Sequence, residues 1–127
     1  MIKVVFGWKD NPDLSPEECE VHYREVHMDL ARECFADVDG FHALVYNRVR
    51  SHAVNNFNDP TAVPRDPDLD AFVELFMADQ DSMDRAFANP QMTRMFEDHQ
   101  NFMATDIPAN VRIYHVDEDV FFGRRPG

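Results

Sequence analysis

The sequence predicts an α+β domain: a four-stranded antiparallel sheet with helices on one face. Three observations carry that expectation. Four short β-prone runs are spaced along the chain, a strongly marked helix start stands at Ser15, and the elements read in the order β-α-β-β-α-β. Two βαβ halves in that order form a split-βαβ, ferredoxin-like sheet. The 127 residues suit one domain with one core, and a hydrophobic share of 44% is ordinary for a globular chain.

Met1 to Trp8 is apolar and β-prone and ends in the turn cluster Lys9-Asp10-Asn11-Pro12-Asp13. This start reads as a strand, because it lacks the charged opening and long apolar run of a signal peptide. Ser15 can cap a helix, Pro16 suits its first position, and Glu18 stands three residues after the cap as a capping box requires. Leu14 is placed for a hydrophobic staple, and the helix is expected to reach about Phe35, before Asp37 to Gly40. Phe41 to Arg50 reads as the second strand. Ser51 to Asp68 carries Pro60, Pro64 and Pro67 and reads as a long loop, a candidate lid. Ala71 to Met77 is the third strand. Asp81 to Ala88 is a short helix broken at Asn89-Pro90, Met92 to Ala104 resumes as a helix, and Ile107 to Asn110 turns into a last strand, Val111 to Val116. The domain is expected to occupy residues 1–118. The tail, 119–127, holds Phe121-Phe122, which is expected to dock on a neighbouring subunit.

Charge and cysteine usage narrow the partners. Twelve basic against 24 acidic residues give a formal net charge of −12, so a phosphate backbone or an anionic membrane surface is repelled. No apolar run is long enough to span a bilayer. Cys19 and Cys34 fall in one predicted helix, roughly 22 Å apart along its axis, too far for a disulfide. Two reduced thiols fit a cytoplasmic protein.

Helical and strand spacing then bring polar groups together. The first helix has an apolar stripe at Cys19, Tyr23, Val26, Leu30 and Cys34, with His27 at its margin. On strand two, Phe41, Ala43 and Val45 share one face and His42, Leu44, Tyr46 and Arg48 the other. With Phe41, Ala43 and Val45 turned to a partner, His42 and Tyr46 point at the helices. Met92, Met95, Phe96, His99, Phe102 and Met103 form one stripe on the last helix, so His99 also points inward. Glu74 falls on the partner-facing side of strand three, where Arg112 is a candidate counter-ion. A sheet with apolar residues on both faces needs a second cover, and a two-fold homodimer is the simplest one.

Converging histidines and a tyrosine suit acid–base chemistry near neutral pH. Satisfied core histidines are the plainer alternative. No metal site is expected: His22 and His27 are five apart, and His22-Tyr23-Arg24-Glu25-Val26-His27 is not the zinc motif HExxH. An inward histidine also suits a haem iron. The chain's four glycines form no phosphate-cradling pattern.

Met1-Ile2-Lys3, Leu14-Ser15-Pro16-Glu17-Glu18, and His22 to His27 leading to Leu30-Ala31 resemble the opening of EthD-type domains of the dimeric α+β barrel superfamily. Phe72-Val73-Glu74-Leu75-Phe76, the Asn89-Pro90 break and Phe102 are similar to the later part of that family. The resemblance implies a homodimer with a ligand cavity between helices and sheet in each subunit, and it matches His27 to a helix-one histidine used for proton transfer in some relatives. It departs from some isomerase relatives at Leu75 and at Thr61-Ala62-Val63-Pro64. The resulting expectation is a cofactor-free lyase or isomerase acting on a small aromatic, lactone or polyketide-like molecule. His27, His42, Tyr46 and His99 are its catalytic candidates, and Tyr23, Leu44, Leu75, Met95 and Phe96 its substrate contacts. The alternatives are a non-catalytic binder of a small hydrophobic ligand and a haem-dependent or cofactor-free monooxygenase.

Overall fold

Ile2–Trp8 forms β1, one of the two inner strands of the main sheet. The computed structural model describes residues 1–55, 61–105 and 111–124. A first helical stretch follows β1: α1 (Pro16–His22), a π-helical turn (Tyr23–His27) and α2 (Met28–Phe35). Then come β2 (Phe41–Arg48), a small hairpin of β3 (Ala53–Val54) and β4 (Val63–Pro64), and β5 (Ala71–Met77). The chain continues with α3 (Gln80–Phe87), α4 (Met92–Asp98), a 3-10 turn (His99–Asn101) and β6 (Val111–Val116). The main sheet has the order β2-β5-β1-β6 with every pair antiparallel, which is the ferredoxin-like arrangement.

The helix starts follow from their caps. Ser15 Oγ accepts from the Glu18 amide at 3.1 Å while Glu18 Oε1 accepts from the Ser15 amide at 3.0 Å, so two otherwise orphaned donors are satisfied. Leu14 and Cys19 pack into one apolar cluster and complete the staple. Asp79 caps α3 in the same reciprocal way with Ser82. Gly40 has φ +90 where the chain turns into β2, and a Cβ there would lie 2.6 Å from the Ser82 Cβ, so only glycine fits.

Five sequence expectations need correction. The first helix is not uniformly α. Its π turn puts Cys19, Tyr23, His27 and Ala31 on the buried side and leaves Val26 43% exposed. Strand β2 ends at Arg48 and carries a bulge between Phe41 and Ala43, so Phe41 packs inward against Phe35 while His42 is exposed. The 51–68 segment contains the β3–β4 ladder rather than a plain loop; residues 56–60 lie outside the described residues, as does the expected turn at 107–110. The last helix ends at Asp98, short of Ala104. Glu74 pairs with Lys3 at 2.6 Å and accepts from Asn47 at 3.1 Å.

The core lies between sheet and helices in two clusters. One gathers Ala31, Cys34, Phe35, Leu75, Met77, Met83 and Met92. The other gathers Trp8, Cys19, Tyr23, Val73, Phe102 and Met103. Cys19 and Cys34 are buried free thiols. The opposite sheet face presents Val5, Val45, Phe72 and Tyr114 among Lys3, Asn47 and Glu74, as the strand registers require. No helix among the described residues is long and apolar enough to cross a membrane.

Candidate functional site

The two core clusters do not close on each other completely. Between them lies an apolar cavity of about 230 Å³, bounded by Val4, Phe6 and Trp8 from β1, Leu44, Val73 and Leu75 from the neighbouring strands, and Tyr23, His27, Met95 and His99 from the helices. Phe87, Phe96 and Ile113, each roughly half exposed, also line it.

His27 reaches this cavity because of the π turn. An α-helix advances 100° per residue, so residues spaced by four drift 40° per step. Cys19, Tyr23, His27, Ala31 and Phe35 are all buried at that strict spacing, and the wider π turn absorbs the drift. His27 is left 5% exposed, with its Nδ1 2.9 Å from Asp98 Oδ2.

Asp98, at the end of α4 and 7% exposed, is the centre of the arrangement. Its Oδ1 accepts from His22 Nε2 at 2.8 Å and from Asn101 Nδ2 at 3.0 Å. Its Oδ2 serves His27 alone. A carboxylate only accepts, so neutral His27 carries its proton on Nδ1 and leaves Nε2 as the bare nitrogen of a ring that lines the cavity. That Nε2 makes no hydrogen bond among the described residues. His99, on the 3-10 turn just after Asp98, stands with its ring centroid 5.1 Å from that of His27 and 5.9 Å from that of Phe6.

The electrostatics favour a neutral resting pair. Burial lowers the His27 pKa from its ordinary 6.5, and its hydrogen bond to Asp98 only partly opposes this. Burial, with the charge of protonated His27 adding to it, pushes His99 down to about 4. Burial raises the Asp98 carboxyl, but hydrogen bonds from Asn101, His22 and His27 outweigh it and hold the group below 3.8. Burial raises Tyr23, so its hydroxyl stays protonated. The result is an accepting nitrogen on His27, backed by a fixed negative charge, beside a second neutral imidazole. Such a pair can take a proton from a bound molecule and stabilise the imidazolium that forms.

The expected site residues divide accordingly. His27, His99, Tyr23, Leu44, Leu75, Met95 and Phe96 all line the cavity. Tyr46 does point to the helix layer, but it stacks behind Tyr23 with ring centroids 4.3 Å apart and is not among the lining residues. Its buried hydroxyl makes no hydrogen bond, although the nearby Arg48 guanidinium partly offsets the rise that burial causes in its pKa. His42, at the bulge, is exposed and does not line the cavity. Asp98 was missed, because an acidic residue in Glu97-Asp98-His99 reads as solvated helix surface. The signal that finds it is the pairing of a carboxylate on one helix with two histidines on another. Among the described residues no group of three or more His, Cys, Asp and Glu is placed to hold a metal ion.

Comparison with known proteins agrees with this architecture. An EthD family protein from Bacillus halodurans shares the fold with a TM-score of 0.61 at 14% identity, over 94% of this chain and 100% of that one. A dimeric ferredoxin-like protein of unknown function from Thermobifida fusca superposes with a TM-score of 0.58 at 10% identity, over 91% and 88% of the two chains. The fold is shared with an antibiotic biosynthesis monooxygenase, with a TM-score of 0.50 at 16% identity, over 94% and 100%. No curated protein sequence matches significantly. The EthD domain family matches residues 11–106, a span that holds the π turn, His27, Asp98 and His99, and the chain belongs to that family.

Proposed function

We propose that this chain is a cofactor-independent acid–base enzyme of lyase or isomerase type, working on a small aromatic, lactone or polyketide-like molecule. The observation that carries the reading is the Asp98–His27 pair, which opens onto an otherwise apolar cavity. A buried ion-paired histidine with no access to a ligand would be structural. Here the His27 ring lines the cavity, and in this reading its bare Nε2 meets the substrate proton. His27 is the base that abstracts it and the acid that returns it at another position or to a leaving oxygen. Asp98 holds the tautomer and balances the imidazolium. Neutral His99 donates an N–H to the oxygen on which charge develops, and Tyr23, Leu44, Leu75, Met95 and Phe96 form the surrounding wall.

The working unit in this reading is a homodimer. Val5, Val45, Phe72 and Tyr114 form an apolar band on the sheet face away from the helices, and a second copy packed face to face covers it. Two buried free thiols suit a reducing, cytoplasmic setting.

The test is turnover by His27→Ala against a panel of small aromatics, lactones and short polyketide-like compounds. Positioned proton transfer contributes about 10²–10⁴-fold, so the variant should lose at least that factor while keeping its fold and its dimer. Full turnover in the variant removes His27 from the chemistry. A compound that saturates the wild-type protein but is never consumed makes the chain a binding protein instead.

A further inference from the structure

The cavity wall is unusual in charge as well as in shape. Among the described residues that line it there is no Lys, Arg, Asp or Glu. Its polar side chains are Trp8, Tyr23, His27 and His99. Trp8 has no titrating group, Tyr23 is held protonated, and both imidazoles are held neutral by burial. Behind His27, 2.9 Å from its Nδ1, stands the negative charge of Asp98. An anionic ligand entering this space would give up its hydration, meet no cation and face a carboxylate, all of which oppose binding.

The polar groups also stand at one end. The rings of Tyr23 and His99 each lie 5.1 Å from that of His27, whereas Ala31, Phe35, Leu75, Phe87 and Met95 offer only hydrocarbon and thioether surface at the other. A second polar group on the ligand would be buried there without a partner. Size adds a limit: an apolar cavity of about 150 Å³ holds benzene, so 230 Å³ accommodates one ring and a few further heavy atoms.

We propose that the cavity selects an uncharged, single-ring phenol or enol whose one hydroxyl sits between His27 Nε2 and His99, and that it rejects the matching carboxylate. The O–H donates to His27 Nε2, the His99 N–H donates to the same oxygen, and the ring lies against Phe6, Trp8, Phe96 and Phe102. The substrate class rests on the acid–base reading of His27; the charge and size selection rests on the cavity wall alone.

Trp8 is the only tryptophan of the chain and lines the cavity, so its fluorescence reports occupancy directly. The experiment titrates the purified 127-residue chain at neutral pH with para-propylphenol and, separately, with para-propylbenzoate, and follows the imidazole nitrogens by 15N NMR. The phenol should change Trp8 emission saturably and move the His27 and His99 resonances, and the benzoate should bind about a hundredfold more weakly. A preference below tenfold, a preference for the benzoate, or no saturable response to the phenol overturns the selection. Its failure is distinct from that of the catalytic reading. Phenol binding that leaves the His27 nitrogens unmoved overturns the placement of the hydroxyl and counts against proton transfer at His27, while a preference for the benzoate overturns the charge selection and leaves the catalytic reading standing.

Discussion

Replacing Asp98 with Asn tests the geometry at its centre, and the outcome can be worked out from the hydrogen bonds. The carboxylate oxygens are not equivalent. Oδ1 accepts from both His22 Nε2 and Asn101 Nδ2, at 2.8 and 3.0 Å, while Oδ2 accepts only from His27 Nδ1, at 2.9 Å. An asparagine has one oxygen, and it satisfies more donors in the Oδ1 position. Its NH₂ group then faces His27 Nδ1 and donates to it. His27 must shift its proton to Nε2, where it points into the cavity as a donor instead of a base. The variant also lacks the charge that stabilises the imidazolium, and a hydrogen bond to a charged group is worth about 1.5–3 kcal/mol, or roughly 10- to 150-fold in rate. Tautomer and charge together place the expected loss in kcat at about 10²–10⁴-fold. Stability should fall far less than in Asp98→Ala, which strands the buried His27 donor at a cost of about 1–3 kcal/mol.

The assay is 15N NMR of the His27 imidazole in Asp98→Asn, with turnover measured alongside. The expected spectrum has a protonated Nε2 and a bare Nδ1. A His27 that keeps its proton on Nδ1 together with wild-type turnover would refute the claim that Asp98 sets the tautomer. Replacing His22 and Asn101 together removes the two donors that favour Oδ1. Adding those changes to Asp98→Asn should therefore return part of the population to the original tautomer.

Four further outcomes follow from the same structure. His27 acts as a base only when neutral and its pKa is lowered from 6.5, so the acid limb of kcat/KM should lie below pH 6.5; a limb above that value contradicts the assignment. The unfolded chain titrates these histidines near 6.5 while folded His99 titrates at about 4. Between those values the unfolded state binds more protons, so stability should decline as pH falls from about 6.5 to about 4, which urea midpoints at pH 7 and pH 5 will show. Phe121 and Phe122 are 86% and 94% exposed; deleting residues after Asp119 should weaken the proposed dimer, and an unchanged sedimentation profile at low concentration argues against docking of the tail. His42→Ala should leave activity within about twofold, since the bulge turns this residue to solvent.

Much of the fold was legible because its signals are local. The capping box at Ser15 and the alternation in Ala71–Met77 act within a few residues, and both appear where they were expected. The departures arise where one residue changes the phase. One bulge at His42 reverses the side of Phe41 without altering the strand's composition, and one π turn replaces Val26 by His27 on the buried face. Simple periodicity assumes a constant phase and misses both. Asp98 is a different case: its histidine partners are 71 and 76 positions away, and no local pattern separates it from the exposed Glu97.

The resting state of His27 in the wild-type protein is the most direct measurement of the central claim. A pH titration of its two imidazole nitrogens by 15N NMR should show a neutral ring protonated on Nδ1, bare at Nε2, with a pKa below 6.5. A proton on Nε2, or a pKa above 6.5, would contradict a base aimed into the cavity and held there by Asp98.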